Sequence, residues 1–281
     1  MLFRSVSKKK ISEENFRRST GVKINTVSYL LKKLKSVIPE KKCGPRNKLS
    51  LRRQLLLTLD YWRNYSSLLE TGKRFGISEA TACRTYKFIE DSLAKAGLCK
   101  LPGKKGFTTD LEESFTVDAT ECPIERPKRK TIGRHKNRQK HYYSGKKKRH
   151  TIKAQIVIKG RSIRSTSFAN GRMHDYKLFK KSKTKFRPNK NVKVDSGYQG
   201  LQKVHTNTDL PKKNTKKNPL TRSEKLMNKE QAKKRVVVEH VIGHIKKFKI
   251  LNTKYRNRRK RFGLRFNLIC GIYNYENLEV I

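Results

Sequence analysis

Two groups of residues in this chain stand where their charge could do chemistry. Asp195 closes a short alternating run, Val192-Lys193-Val194-Asp195, and the turn residues Ser196-Gly197 follow it. A carboxylate on the last residue of a strand sits at the rim of a sheet, where α/β active sites lie. Asp195 is also the only acid between Asp175 and Asp209, in a stretch crowded with Lys and Arg. An isolated carboxylate so placed in a basic protein suits a metal ion that will meet a polyanion. It suits plain turn capping as well, which Asp before Ser-Gly often performs, and position alone leaves both open. Arg235, Glu239 and Lys246 form the second group, on nearly one face of a helix at 3.6 residues per turn. Val238, Val241, Ile245 and Phe248 make a neighbouring apolar stripe that can pack on a sheet, and Gly243 leaves room beside Glu239. As a solvated ion pair, Glu239 with a cation would contribute only roughly 0.3–0.5 kcal/mol. His174-Asp175 precedes a further helix, and Asp175 reads as its N-cap.

These side chains need a scaffold, and the periodicity supplies one. Ser114–Thr120, Thr151–Ile158 and Ser162–Phe168 read as strands, a helix spans Tyr176–Lys183, and the Asp195 strand follows. Strands joined by turns, then helix and strand, predict an α/β (α+β) domain on a mixed sheet. Thr221-Arg222-Ser223-Glu224 is a capping-box start for the long helix that carries Glu239, although Val236-Val237-Val238 by propensity could be strand. Phe262, Phe266, Ile269, Ile272 and Tyr273 describe a terminal amphipathic helix that is expected to complete this domain's core.

Ahead of that domain the pattern is helical. Ile11–Val37 reads as two helices around Gly21-Val22, and Pro39–Lys48 as a basic linker. Ser50, Ser66 or Ser67, and Ser78 each precede an apolar-periodic segment, and Gly76-Ile77 makes a tight turn before the third. A helix, a Gly-containing turn and a Ser-capped helix is the helix-turn-helix pattern, whose second helix enters the DNA major groove. Tyr86 and Ile89 would then face inward, leaving Thr81, Arg84, Thr85 and Lys87 to meet DNA. An ordinary three-helix unit gives the same local pattern. The expected division is a helical region over 1–98 with the helix-turn-helix at about 49–98, a linker over 99–113, and the second domain over 114–281.

Composition narrows the partner. Among 281 residues, Lys and Arg total 71 against 22 acids, a net charge of +49. Such an excess self-repels unless a polyanion neutralises part of it, and nucleic acid is the first candidate. No apolar run approaches membrane-spanning length, and the N-terminus does not read as a secretory signal. The five scattered cysteines form no CxxC pair, which excludes a zinc site or disulfide framework as an organising device. Between Glu125 and Asp175 there is no acid, and cations there interleave with Tyr142-Tyr143, a composition suited to phosphate contact plus base stacking or to a solvated hairpin. Lys254–Arg265 is a second basic cluster.

Several motifs then occur in a telling order. They are Val117-Asp118-Ala119-Thr120-Glu121, the run Tyr142–Thr151, Val194-Asp195-Ser196-Gly197-Tyr198-Gln199-Gly200, Val238-Glu239-His240 with Lys246-Lys247-Phe248, and Tyr255-Arg256-Asn257-Arg258-Arg259. Over roughly Ser114 to Asn277 the chain resembles bacterial insertion-sequence transposases of the DDE superfamily, nearest the fifth insertion-sequence family. A helix-turn-helix before that segment is also the family's arrangement.

The resemblance implies a ribonuclease-H-like fold whose catalytic, metal-holding triad maps onto Asp118, Asp195 and Glu239. Arg235, Glu239 and Lys246 fit an R-x3-E-x6-K signature, although Ala232 stands where that signature carries tyrosine, and Lys130–Lys140 is longer than the family pattern. Two Mg²⁺ ions about 3.5–4 Å apart, with Mn²⁺ able to substitute, are implied as cofactors. Water would cut at the element's end, and the exposed 3′-OH would attack target DNA. Arg235 and Lys246, with Lys146, Lys147, Lys148 and Arg149, are the expected phosphate contacts, and Arg84 and Lys87 those of the recognition helix. Implied partners are double-stranded DNA, both terminal inverted repeats and target, bound by a homodimer or larger assembly in the bacterial cytoplasm at the nucleoid, with no membrane. An inactive or domesticated DNA-binding regulator, or a basic RNA-binding protein, stays open beside this. Mg²⁺-dependent nicking separates them from the enzyme.

Overall fold

Local capping chemistry starts nearly every N-terminal helix. In the computed structural model the described residues are 12–39, 47–98, 100–103, 107, 114–128, 138–215 and 218–278. Most of the expected linker, and residues 129–137 of the long basic segment, lie outside them. Ser12 opens α1 (Glu13–Thr20), its side chain accepting from the Asn15 N–H. α2 (Ile24–Lys35) buries Val27, Leu30 and Leu34. Ser50 caps α3 (Leu51–Asn64), Ser67 and Glu70 form a full capping box on α4 (Leu68–Phe75), and Ser78 caps α5 (Glu79–Lys95). Tyr86 and Ile89 face the interior, as the helix-turn-helix pattern requires.

The contacts divide the chain into two compact units, residues 1–100 with 245–253 and 260–281, and residues 101–244 with 254–259. The terminal helix therefore does not complete the sheet domain's core, the place its amphipathicity predicts. After the short α9 (Lys249–Asn252), α10 (Phe262–Leu278) packs against α2 and α5 of the helical unit. Its apolar face, with Phe262, Phe266, Ile269 and Ile272, is buried, and charge pairs tie it to α5 and α2. Glu90 on α5 is fully buried and accepts from Arg265 Nε at 2.6 Å, Arg261 Nε at 2.6 Å and Trp62 Nε1 at 3.0 Å. At the other end of α10, Glu276 Oε1 accepts from the Lys23 N–H and the Thr26 hydroxyl, both at 2.7 Å, and so caps α2.

The second unit is built on a mixed sheet. β1 (Ser114–Pro123) pairs antiparallel with β3 (Arg149–Lys159), and β3 pairs antiparallel with both β2 (Tyr143–Ser144) and β4 (Ser162–Asn170). On its other side β1 runs parallel to β5 (Asn191–Val194), and β5 parallel to β6 (Thr208–Asp209). The six-stranded sheet runs β2-β3-β1-β5-β6 with β4 also paired to β3, antiparallel strands continued by parallel ones, as in a ribonuclease-H-like sheet. A short helix, α6 (Arg138–Tyr142), leads into β2, and α7 (Asp175–Ser182) buries Leu178 and Phe179. Phe115, Val117, Val157, Val192, Val194, Phe179 and Tyr198 share one core. The long helix α8 (Arg222–Lys246) begins with the expected box, Thr221 Oγ1 accepting from the Glu224 N–H and Glu224 from the Thr221 N–H. Val236–Val238 is helical despite its β-branched run, because Val238 and Val241, three apart, are buried together on one face. Among the described residues no helix is long and apolar enough to cross a membrane.

Candidate active site

Sheet register places the two strand acids. Val117 of β1 stands opposite Val194 of the parallel β5, so Asp118 and Asp195 are the next residues along neighbouring strands, roughly 5 Å apart in backbone. Asp118 lies within β1, whereas Asp195 lies one residue beyond β5, not on it. There it caps a single 3-10 turn, Ser196–Tyr198, accepting from the Ser196 N–H at 2.6 Å. Capping and a place at the sheet rim, read as alternatives in the sequence, thus coincide in one side chain. Asp118 accepts from the Ala119 N–H at 2.7 Å.

The electrostatics of this pair are strained. Burial pushes the Asp118 carboxyl up to about 6; the Ala119 N–H opposes that, the neighbouring Asp195 charge adds to it, Arg235 opposes it and Asp175 adds to it. Arg235 reaches in from α8, its Nη1 donating to the Val194 carbonyl at 3.1 Å and to Asp195 Oδ1 at 3.3 Å. Tyr198 is wholly buried, and its hydroxyl has no hydrogen-bond partner among the described residues. Burial, and then the charges of Asp118, Asp175 and Asp195, hold that phenol far above its ordinary range.

Other expected site residues fall elsewhere. Glu239 is exposed on α8, one turn and about 6 Å along the axis from Arg235. Among the described residues no three His, Cys, Asp or Glu side chains are grouped as a metal would need, so the geometry unites Asp118, Asp195 and Arg235 but not Glu239. Lys246 is the last residue of α8 and belongs to the helical unit. Lys146, Lys147, Lys148 and Arg149 are exposed on and beside the turn from β2 to β3. Arg84 and Lys87 are exposed on α5, where Arg84, Thr81, Thr85 and Phe88 border a cavity of about 560 Å³.

One residue differs from its sequence reading. His174, not Asp175, is the N-cap of α7; Asp175 is its first helical residue, and its carboxylate accepts from Lys153 Nζ at 2.8 Å. A signal was available: Asp175 and Asp195 are the only acids from Arg126 to Thr208. Local capping preference outweighed it.

The donor set fits a hard divalent cation. Asp118 and Asp195 offer carboxylate oxygens, which Mg²⁺ and Mn²⁺ prefer. A cation between them would also offset the burial and like charge that hold Asp118 partly protonated.

Comparison with known proteins gives the class to which this sheet and helix-turn-helix belong. Residues 117–274 match the family described as DDE superfamily endonuclease, and residues 47–99 match the helix-turn-helix of DDE superfamily endonuclease. The chain belongs to the insertion-sequence transposases of the DDE superfamily. It is similar to the probable transposase for insertion sequence element IS702 of Microchaete diplosiphon, with 41% identity over 273 residues, covering 95% of this chain and 96% of that protein. No solved structure matches it. DNA is the partner that the helix-turn-helix and endonuclease matches share.

Proposed function

We propose that this transposase recognises the ends of its element through the helix-turn-helix, cleaves there with divalent metal, and joins the freed 3′-OH to target DNA. The observation that carries this reading is the pair Asp118 and Asp195, each next after the registered Val117–Val194 pair of parallel β1 and β5, in a DDE-superfamily chain. Two Mg²⁺ ions, when bound, would activate the attacking oxygen and stabilise the leaving one. Asp118 and Asp195 are the residues that would hold the metal. Arg235, already at the rim through Asp195 and the Val194 carbonyl, neutralises a phosphate oxygen as the strand enters. In the first step water attacks phosphorus and the P–O3′ bond breaks, leaving a 3′-OH on the element. In the second that hydroxyl attacks a target phosphodiester and displaces another 3′-oxygen, so no covalent protein intermediate is required. Glu239 is the third carboxylate, on the helix that carries Arg235. Lys246, Lys146, Lys147, Lys148 and Arg149 contact the DNA backbone, and Arg84 and Lys87 the element's end. The protein acts as a dimer or larger assembly that pairs two ends at the bacterial nucleoid.

The exposure of Glu239 is what a non-catalytic DNA-binding reading draws on. Nicking of duplex DNA carrying the element's end tests both. The wild-type chain should nick with Mg²⁺ or Mn²⁺ and not in chelator, and Asp195→Asn should bind the same DNA without nicking it. A purified wild-type protein that binds but never nicks would leave the regulator reading in place.

A further inference from the structure

The first turn of α7 and the turn after β5 are built against each other. A Cβ on Gly197 would fall inside contact distance of Asp175 Oδ2, and one on Gly200 would lie 3.0 Å from the Tyr176 ring. Gly200 also has φ +97, a left-handed conformation that disfavours side chains. Both glycines of Asp195-Ser196-Gly197-Tyr198-Gln199-Gly200 are thus bare on the side where Asp175 and Tyr176 approach. Asp175 in turn is anchored. Lys153, nearly buried on β3, donates to its Oδ1 at 2.8 Å and lies 4.0 Å from Glu121, which accepts from the Thr151 hydroxyl at 2.9 Å. The third residue of the turn, Tyr198, brings its unpartnered, wholly buried hydroxyl within the fields of Asp118, Asp175 and Asp195. Such a buried polar group without a partner among the described residues is uncommon in folded proteins.

We propose that Asp175 is a positioning residue of the metal site: clamped by Lys153 and seated on the bare backbone of Gly197, it sets the turn that holds Asp195 and Tyr198 against Asp118. The inference rests on the reading of Asp118 and Asp195 as the metal-holding pair and adds the part that aligns them. Lys153 offsets the Asp175 charge, so Asp175 supports the turn without acting as a competing ligand. Outer partners of this kind fix the orientation of ligating carboxylates.

Titration of the full-length protein with Mn²⁺ in the absence of DNA, read by the spectroscopic signal of free Mn²⁺, tests this without activity. Asp175→Asn should weaken Mn²⁺ binding by about 10–100-fold, the range over which loss of an outer partner costs metal affinity. Circular dichroism and metal-free DNA binding should stay as in wild type. Gly197→Ala should weaken binding comparably, because its methyl displaces the Asp175 carboxylate. The same change in an Asp175→Ala background should add less than about two-fold, since the new methyl would then meet only a Cβ 3.5 Å away. Wild-type affinity in Asp175→Asn, with binding abolished by Asp118→Asn, would overturn the positioning role and leave the nuclease reading standing. Equal losses from Gly197→Ala in both backgrounds would overturn it too. Wild-type affinity in Asp118→Asn would bring down both readings.

Discussion

Glu90 in the helical unit is fully buried and Asp118 in the sheet unit half-buried, and the two acids are served in opposite ways. Glu90 receives Trp62 Nε1 and two arginines, Arg261 and Arg265, all within 3.0 Å. Asp118 receives one backbone N–H, with Asp195 and Asp175 as like-charged neighbours, and is pushed up to about 6. A buried charge that is fully paired costs most when one partner is removed, and it ties elements together. A buried charge left short of partners is poised for something that arrives later. The first pattern joins α5 to the terminal helix; the second falls on an acid of the proposed metal pair.

The contrast breaks most visibly at the site. Asp195→Asn and Asp118→Asn should each lower cleavage by about three orders of magnitude or more, on the order of 4 kcal/mol of barrier, while the chain stays folded and binds DNA. Glu239→Gln should lose cleavage on the same scale if that carboxylate completes the site, with metal-free DNA binding held or tightened as a negative charge leaves. Nicking at near wild-type rate in Glu239→Gln would confine the metal site to the two strand acids. Next in size is the paired acid. Arg265→Met leaves Glu90 buried with fewer donors and should cost roughly 3–5 kcal/mol of stability in denaturant unfolding. Its Mn²⁺ affinity should not change. A loss below about 1 kcal/mol would mean that Glu90 is held by packing and not by its charges.

What was legible in the sequence follows the same line between local and distant partners. Ser12, Ser50, Ser67, Ser78 and Thr221 announce helix starts because each cap bonds a backbone N–H only three residues away. The strand pattern around Asp195 was equally local, whereas Asp118 entered only through the family resemblance, because a carboxylate inside a strand carries no local mark of its own. The partnership of Glu90 with Arg261 and Arg265 spans more than 170 residues and leaves no periodic trace. For that reason amphipathicity alone assigns the terminal helix to the wrong core. Asp175 reads as a cap because its true partners, Lys153 and Gly197, lie 22 residues away on either side. Val236–Val238 misleads through propensity, which burial of one face overrides.

A smaller effect sharpens the helical unit's part. Arg84→Ala with Lys87→Ala should weaken binding to the element's end by about 1–3 kcal/mol for each base edge no longer read, and binding to random duplex by less. Filter binding across a salt series reads both, since every phosphate left without its cation flattens the log–log slope by about 0.9. Equal weakening on both DNAs would make α5 a backbone-binding helix and not a reading one.

The smallest expected effect is a gain. In the metal-free protein the Asp118 carboxyl titrates near 6 in place of 3.8, so between those values the folded state holds more proton than the unfolded chain. Stability contributed at this position therefore falls as pH rises through that window and stays low above it. Asn at 118 is neutral throughout and escapes the fall. Asp118→Asn should thus match wild type near pH 4 and exceed it above pH 6.5 by roughly 1–2 kcal/mol, short of the about 3 kcal/mol that a rise from 3.8 to about 6 corresponds to because water reaches the half-buried carboxyl, or a few degrees in melting temperature. Mg²⁺ should narrow the gap by stabilising wild type alone, since binding to the folded state raises its stability by mass action. The same substitution would then abolish cleavage and strengthen the fold, the reverse of what Arg265→Met does. An Asp118→Asn protein less stable than wild type at neutral pH, with or without Mg²⁺, would place Asp118 with Glu90, among charges kept for the fold.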